Sequence, residues 1–122
     1  EEVRAQKLNE LRLYDSSEAV NQFSIDNVSG WWNKATRVGL MNSIAIEKAS
    51  GRTETNIWLD NTLFVLPVEK AIDMLQQIEL YALMCYNTTQ GHINAINQLE
   101  TKEEIEVYNF KTGYPGKLNF IG

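Results

Sequence analysis

Between Pro67 and Leu99, apolar or small side chains recur at Ala71, Leu75, Ile78, Ala82, Cys85, Thr89, His92, Ile96 and Leu99. Steps of four alternate with steps of three, the spacing that keeps residues on one face of an α-helix. The pattern predicts a single helix over residues 68–99, of roughly eight or nine turns and about 45 Å at ~1.5 Å per residue. A compact domain of this chain length has a radius of gyration of only ~14 Å, so one end of such a helix is expected to project or to meet another chain. Gly91 is its weak point, about 1 kcal/mol less favourable than alanine in a helix interior, and Asn87-Thr88-Thr89 just before it could support a bend. The apolar register passes through this stretch unbroken, and continuity is expected.

The 122 residues, 43% of them hydrophobic, match the commonest size of a single domain with one core, and their apolar content is enough to offset chain entropy. A net charge of -5, with eleven scattered Lys and Arg, gives no long-range attraction to phosphate backbones or anionic lipid. Nucleic-acid and membrane partners are therefore not expected. Cys85 is the only cysteine, which excludes an internal disulfide, and its place in Leu83-Met84-Cys85-Tyr86 predicts a buried thiol. No run of ~18 or more apolar residues offers a membrane span. The start, Glu1-Glu2-Val3-Arg4, is neither a signal peptide nor an initiator methionine, as expected of a domain excised from a longer protein.

Around the long helix the remaining elements follow from local pattern. Val3, Leu8, Leu11 and Tyr14 form a narrow apolar stripe on a helix over 1–14, stopped by Asp15-Ser16-Ser17. A short hairpin is predicted over 20–32, with Phe23 and Ile25 on one face and a turn in Asp26-Asn27-Val28-Ser29-Gly30. Asn33 caps a helix over 34–49 that turns Ala35, Val38, Met41, Ile44 and Ala45 inward, with Gly51 as its C-terminal stop. A second hairpin spans 53–66 around Asp60-Asn61-Thr62, and Pro67 suits the first turn of the long helix. Thr101-Lys102-Glu103-Glu104 has capping-box spacing and predicts a short helix over 102–108, followed by a turn-rich tail over 109–122. The fold class is α+β, with the two hairpins joined in one small antiparallel sheet packed on the long helix and the shorter ones.

Residues able to carry chemistry are few. His92 is the sole histidine, lies on the apolar helix face, and reads as a partly buried structural residue. One His and one Cys seven positions apart, with no acidic cluster nearby, do not make a metal shell, and the isolated glycines form no phosphate loop. No cofactor is expected. Asp26 and Asp60 could in principle serve as the paired carboxylates of a small hydrolase, but aspartate at a hairpin turn is ordinarily there for its backbone bonding. Glu79 lies among Ile72, Leu75, Leu83 and Tyr86, and Arg37 among Ala35 and Val38. A structural salt bridge between Arg37 and Glu79 across the two longest helices is predicted, because an unpaired charge in such surroundings is costly. The rings of Trp31, Trp32, Trp58, Tyr108, Tyr114 and Phe120 could form a sugar- or protein-binding platform, though such rings more often fill a small core.

Four stretches resemble an uncharacterised domain family of gut Bacteroidales and their phages, similar to the C-terminal domain of phage tail or tail-fibre proteins. They are Trp32 to Leu40, Gly51 to Leu59, Glu79 to Thr89 with His92, and Tyr108-Asn109-Phe110 with Gly113-Tyr114-Pro115. The resemblance covers about residues 20–120 and brings no catalytic residues with it. It implies a non-enzymatic, tail-associated structural or interaction module for fibre assembly or attachment, made in the bacterial cytoplasm and carried in the virion tail. Its partners would be further copies of itself or other tail proteins. The alternative is a carbohydrate- or receptor-binding module that engages a surface glycan through exposed aromatics. Trp31, Trp32, Tyr81, Met84 and Tyr114 are the candidate interaction surface. Self-association as a dimer or trimer is expected, because Ile78, Leu80, Tyr81, Leu83, Met84 and Tyr86 leave the long helix apolar on several sides.

Overall fold

A computed structural model describes all residues from Glu1 to Gly122. The element order is α1 (Glu2–Asp15), β1 (Phe23–Ile25), β2 (Val28–Gly30), α2 (Lys34–Ala49), β3 (Glu54–Leu59), β4 (Thr62–Pro67), α3 (Val68–Gln98), α4 (Lys102–Val107) and β5 (Asn119–Phe120). The chain is α+β, and α3 is one helix of 31 residues that continues through Gly91. Pro67 ends β4 instead of opening that helix. On α3 the residues at Ala71, Leu75, Ile78, Cys85, Thr89, His92 and Ile96 are all buried, as the alternating spacing requires.

Residues cluster into two compact units, and each packs its own stretch of α3. Two hydrophobic cores therefore form in place of the single one expected from chain length. The sheet unit comprises Gln22–Tyr81 and Lys117–Gly122. Its two hairpins use the same turn chemistry: Asp26-Asn27 and Asp60-Asn61 all have positive φ, between 47° and 68°. Left-handed residues at both centres of a two-residue loop give the type I′ twist that suits strand pairing, and Asp and Asn tolerate it best after glycine.

The hairpins do not join into one sheet, contrary to the expectation. β1 and β2 form a three-stranded sheet with β5 in the order β2-β1-β5, while β3 and β4 pair only with each other. β5 runs parallel to β1, with Ser24 N–H donating to Leu118 C=O and Asp26 N–H to Phe120 C=O. As a central strand β1 is buried at all three positions, so the alternation read from its sequence is absent. Gly30 explains how the hairpins meet: a Cβ there would lie 2.5 Å from Leu59 Cδ1, so the missing side chain lets the backbone sit against Leu59. Phe23, Ile25, Trp32, Ile44, Ile57, Leu59, Leu66 and the first turns of α3 close this core.

α2 is capped at both ends as its sequence predicts. The Asn33 side chain accepts from Thr36 N–H, and Gly51, at φ 85°, lets Arg52 N–H reach Glu47 C=O and its own N–H reach Lys48 C=O. That pair of bonds is a Schellman motif. The buried face of α2 differs from the expected one: Arg37 and Ile44 are buried, Leu40 and Met41 half-buried, and Ala35, Val38 and Ala45 exposed. Alanines carry little burial energy, so the rotation of the helix is set by Arg37, which finds polar partners inside.

The helical unit comprises Glu1–Asn21 and Ala82–Gly116. Leu11, Ile96 and Phe110 form its core, joined by Leu8, Tyr14, Ile93 and Tyr108. Arg4, on α1, donates to the carbonyls of Ile96 and Leu99 and so places a cation at the C-terminal end of α3, where orphan carbonyls and the helix dipole favour one. Thr101 and Glu104 form both bonds of the capping box that starts α4.

Candidate functional site

A cluster of hydrogen-bonded polar side chains lies in the helical unit, where α1, α3 and the segment after α4 meet. Thr89 Oγ1 is 2.7 Å from Asp15 Oδ1 and 2.7 Å from the Tyr114 hydroxyl. A threonine has one hydroxyl proton, and the carboxylate can only accept it, so Tyr114 must donate to Thr89. The result is a directed line, Tyr114 to Thr89 to Asp15. One helical turn further along α3, His92 Nε2 is 2.7 Å from the Thr112 carbonyl and must carry the proton of that bond. In the neutral ring, Nδ1 then accepts from the Tyr108 hydroxyl, also at 2.7 Å. Both nitrogens of the only histidine are thus committed.

Around these bonds the rings pack edge to face. Tyr14 meets both Phe110 and Tyr114, and His92 lies against Tyr108 and Tyr114. Burial raises the Tyr114 phenol above its ordinary value; the Thr89 hydrogen bond opposes the rise, and the negative charge of Asp15 adds to it. The phenol therefore stays a donor through the neutral range. Thr89 donates to the Asp15 carboxylate, and the imidazole faces Tyr108. The arrangement fastens residues 108–114 to α3 and α1. Sequence reading placed Thr89 and His92 on the correct helix face but did not join them to Asp15, Tyr108 or Thr112.

The predicted salt bridge lies in the sheet unit. Arg37 Nε donates to Glu79 Oε1, Arg37 also donates to the Trp32 carbonyl at 2.8 Å, and its guanidinium lies 5.2 Å from the Trp31 ring centroid. The two ends differ in setting: the Arg37 side chain is 8% exposed, the Glu79 side chain 42%. The charge held away from water is thus the arginine, and it has three partners.

The five residues offered as an interaction surface separate. Trp32 is buried and donates from Nε1 to the Trp58 carbonyl; Tyr81 is buried; Trp31 is half-buried between Phe23, Tyr81 and Arg37; and Tyr114 is half-buried in the polar cluster. Only Met84 is mainly exposed. Trp32 and Tyr114 bury their faces and still find a hydrogen-bond partner for the polar atom, and Trp31 packs against rings and the guanidinium. Of the wider aromatic set, Trp58 alone is mostly exposed, at 60%. It stands beside Leu63 and close to Val65 on the outer face of the β3–β4 hairpin, both of them exposed. On α3, Leu80, Leu83, Met84 and Tyr86 are exposed, while Ile78 and Tyr81, expected to share that role, are buried.

Asp26 and Asp60 each open one of the two tight turns, and the Asp26 carboxylate accepts from the Gly122 amide. No group of three or more His, Cys, Asp or Glu converges as a metal shell, and no helix is long and apolar enough to cross a membrane. Comparison with known protein families, curated proteins and solved structures finds no match to this chain.

Proposed function

We propose that this chain is a non-enzymatic structural and interaction module that works by joining proteins, and that its setting is the tail of a phage or prophage, as its sequence resemblance implies. The observation that carries the joining role is the outer face of the β3–β4 hairpin, where Trp58, Leu63 and Val65 stand together and exposed. Large apolar side chains grouped on a surface mark partner-binding sites more often than isolated ones do. Leu83, Met84 and Tyr86 on α3 supply a further exposed apolar stretch. The polar cluster supports the same reading, since its donors and acceptors are used to hold the segment after α4 in place. Partners are further copies of the chain or neighbouring tail proteins, assembled after synthesis in the bacterial cytoplasm. Mass spectrometry of purified tail particles tests the setting: the chain should be present in fixed ratio to the other tail components, and its absence from them would remove the tail assignment.

A glycan-binding reading rests on one arrangement, the exposed Trp58 ring with Asn56 and Glu54 following on the same face of β3. A ring to stack on a sugar, with an amide and a carboxylate to bond its hydroxyls, is a recognised combination. Binding of a glycan on a surface array, abolished by Trp58→Ala, would favour it over the protein-joining role.

A further inference from the structure

We infer that β4 is a pairing edge for a second copy of this chain, which adds its own β4 antiparallel and turns two hairpins into one four-stranded sheet. The inference deepens the joining role proposed above by naming the partner and the strand. β4 is bonded to β3 on one side and to no strand on the other. The two-residue turn makes Leu59 and Thr62 a hydrogen-bonded pair, and the phase continues to Thr53 and Val68, where Val68 N–H donates to Thr53 C=O at 2.9 Å. Thr62, Phe64 and Leu66 therefore bond to β3, whereas Leu63, Val65 and Pro67 direct their main-chain groups away from it.

Protein edges of this kind are normally blunted by charge, by a bulge or by proline. β4 reads Thr-Leu-Phe-Val-Leu-Pro: it carries no charge, its register with β3 has no bulge, and its one proline stands at the far end. Leu63 and Val65, whose amides face outward, are both exposed. One antiparallel register satisfies both the N–H and the C=O of Leu63 and Val65: Leu63 of each copy opposite Val65 of the other, with Phe64 at the two-fold axis. Each such pair exchanges both its N–H···O=C bonds. Slipping the pairing by one repeat brings Pro67, which has no N–H, opposite Leu63, or sets Val65 against the turn residue Asn61. The favoured register also places Leu63 beside Val65 across the new junction, extending the apolar row that begins at Trp58.

Charge bears on the choice of edge. The chain carries a net -5, so two copies meet the least local repulsion at a surface whose strand carries no acid. The β4 edge is such a surface; the β3 edge carries the exposed Glu54 and would set like charges against each other.

Amide hydrogen exchange on the full chain, at dilute and at high concentration, tests the pairing, with sedimentation to follow mass. Leu63 and Val65 amides should become at least tenfold slower to exchange as concentration rises, while Asn56 and Trp58 amides do not change. Val65→Lys keeps the backbone donor but adds a charge to the edge, and Val65→Pro removes the donor; each should weaken association at least tenfold. Asn42→Lys, at an exposed position on α2, should leave it unchanged. If Val65→Pro fails to fold, by circular dichroism, Val65→Lys and the exchange data still decide. A dimer that is indifferent to Val65→Lys and leaves the Leu63 and Val65 amides unprotected overturns the β4 pairing while the joining role stands; a chain that stays monomeric with those amides exchanging freely overturns it as well.

Discussion

Thr89 shows how a single hydroxyl can organise a segment. It is buried, accepts from Tyr114 and donates to Asp15, so it couples α3 to α1 and to the stretch after α4. Thr89→Val keeps the shape and strands a carboxylate and a phenol, a loss of about 1–3 kcal/mol by the usual cost of unmet polar groups. Denaturant titration should show that drop. Arg37 and Glu79 were legible as partners because each is a charge among apolar neighbours in sequence, and burial of an unpaired charge is costly. The Thr89 network was not legible. Thr89 lies 74 positions from Asp15 and 25 from Tyr114, and nothing in the local pattern of Asp15 or Tyr114 says that they converge. Trp32 and Tyr81, expected on an interaction surface, are instead buried; for Trp32, sequence shows how large the ring is but not that the Trp58 carbonyl waits for its N–H.

At the scale of elements, local signals translated well where one bond or one dihedral decides the outcome. The Asn33 cap, the Gly51 stop and the Thr101-Glu104 capping box each form as their residue types predict. α3 is continuous through Gly91, which faces open space with nothing within 4 Å of an added Cβ. Gly91→Ala should therefore raise stability by about 0.5–1 kcal/mol, measured by thermal or denaturant unfolding, since it restricts the unfolded chain and meets no obstacle. In the capping box, backbone hydrogen bonds from Thr101 and Glu100 hold the Glu104 carboxyl below its ordinary value. A carboxyl lowered in the folded state stabilises it above the unfolded value and loses that contribution as pH falls through the folded one. α4 should fray on acidification through that range, seen by NMR as its amide resonances moving to random-coil positions, and Glu104→Gln should flatten the dependence. Sheet assembly was the part that local pattern could not supply. β5 is two residues long and pairs with β1 across more than ninety positions, and the contact between the hairpins depends on a close approach of Gly30 to Leu59.

For the molecule as a whole, one long helix serves two compact units, each with its own core, and leaves apolar side chains outside both. The α+β class followed from the helical spacing and the two turn-bounded hairpins, whereas the division into two units did not, because one unbroken apolar face on α3 reads the same whether it covers one core or two. The exposed apolar residues on β3, β4 and α3 are the basis for the proposed joining role. Light scattering coupled to gel filtration, over a range of loading concentrations, tests most directly the claim that the chain joins to its own copies. The account predicts a mass that rises above the 14.0 kDa of a single chain toward a dimer. A species that holds at 14.0 kDa up to the highest concentration would contradict self-joining.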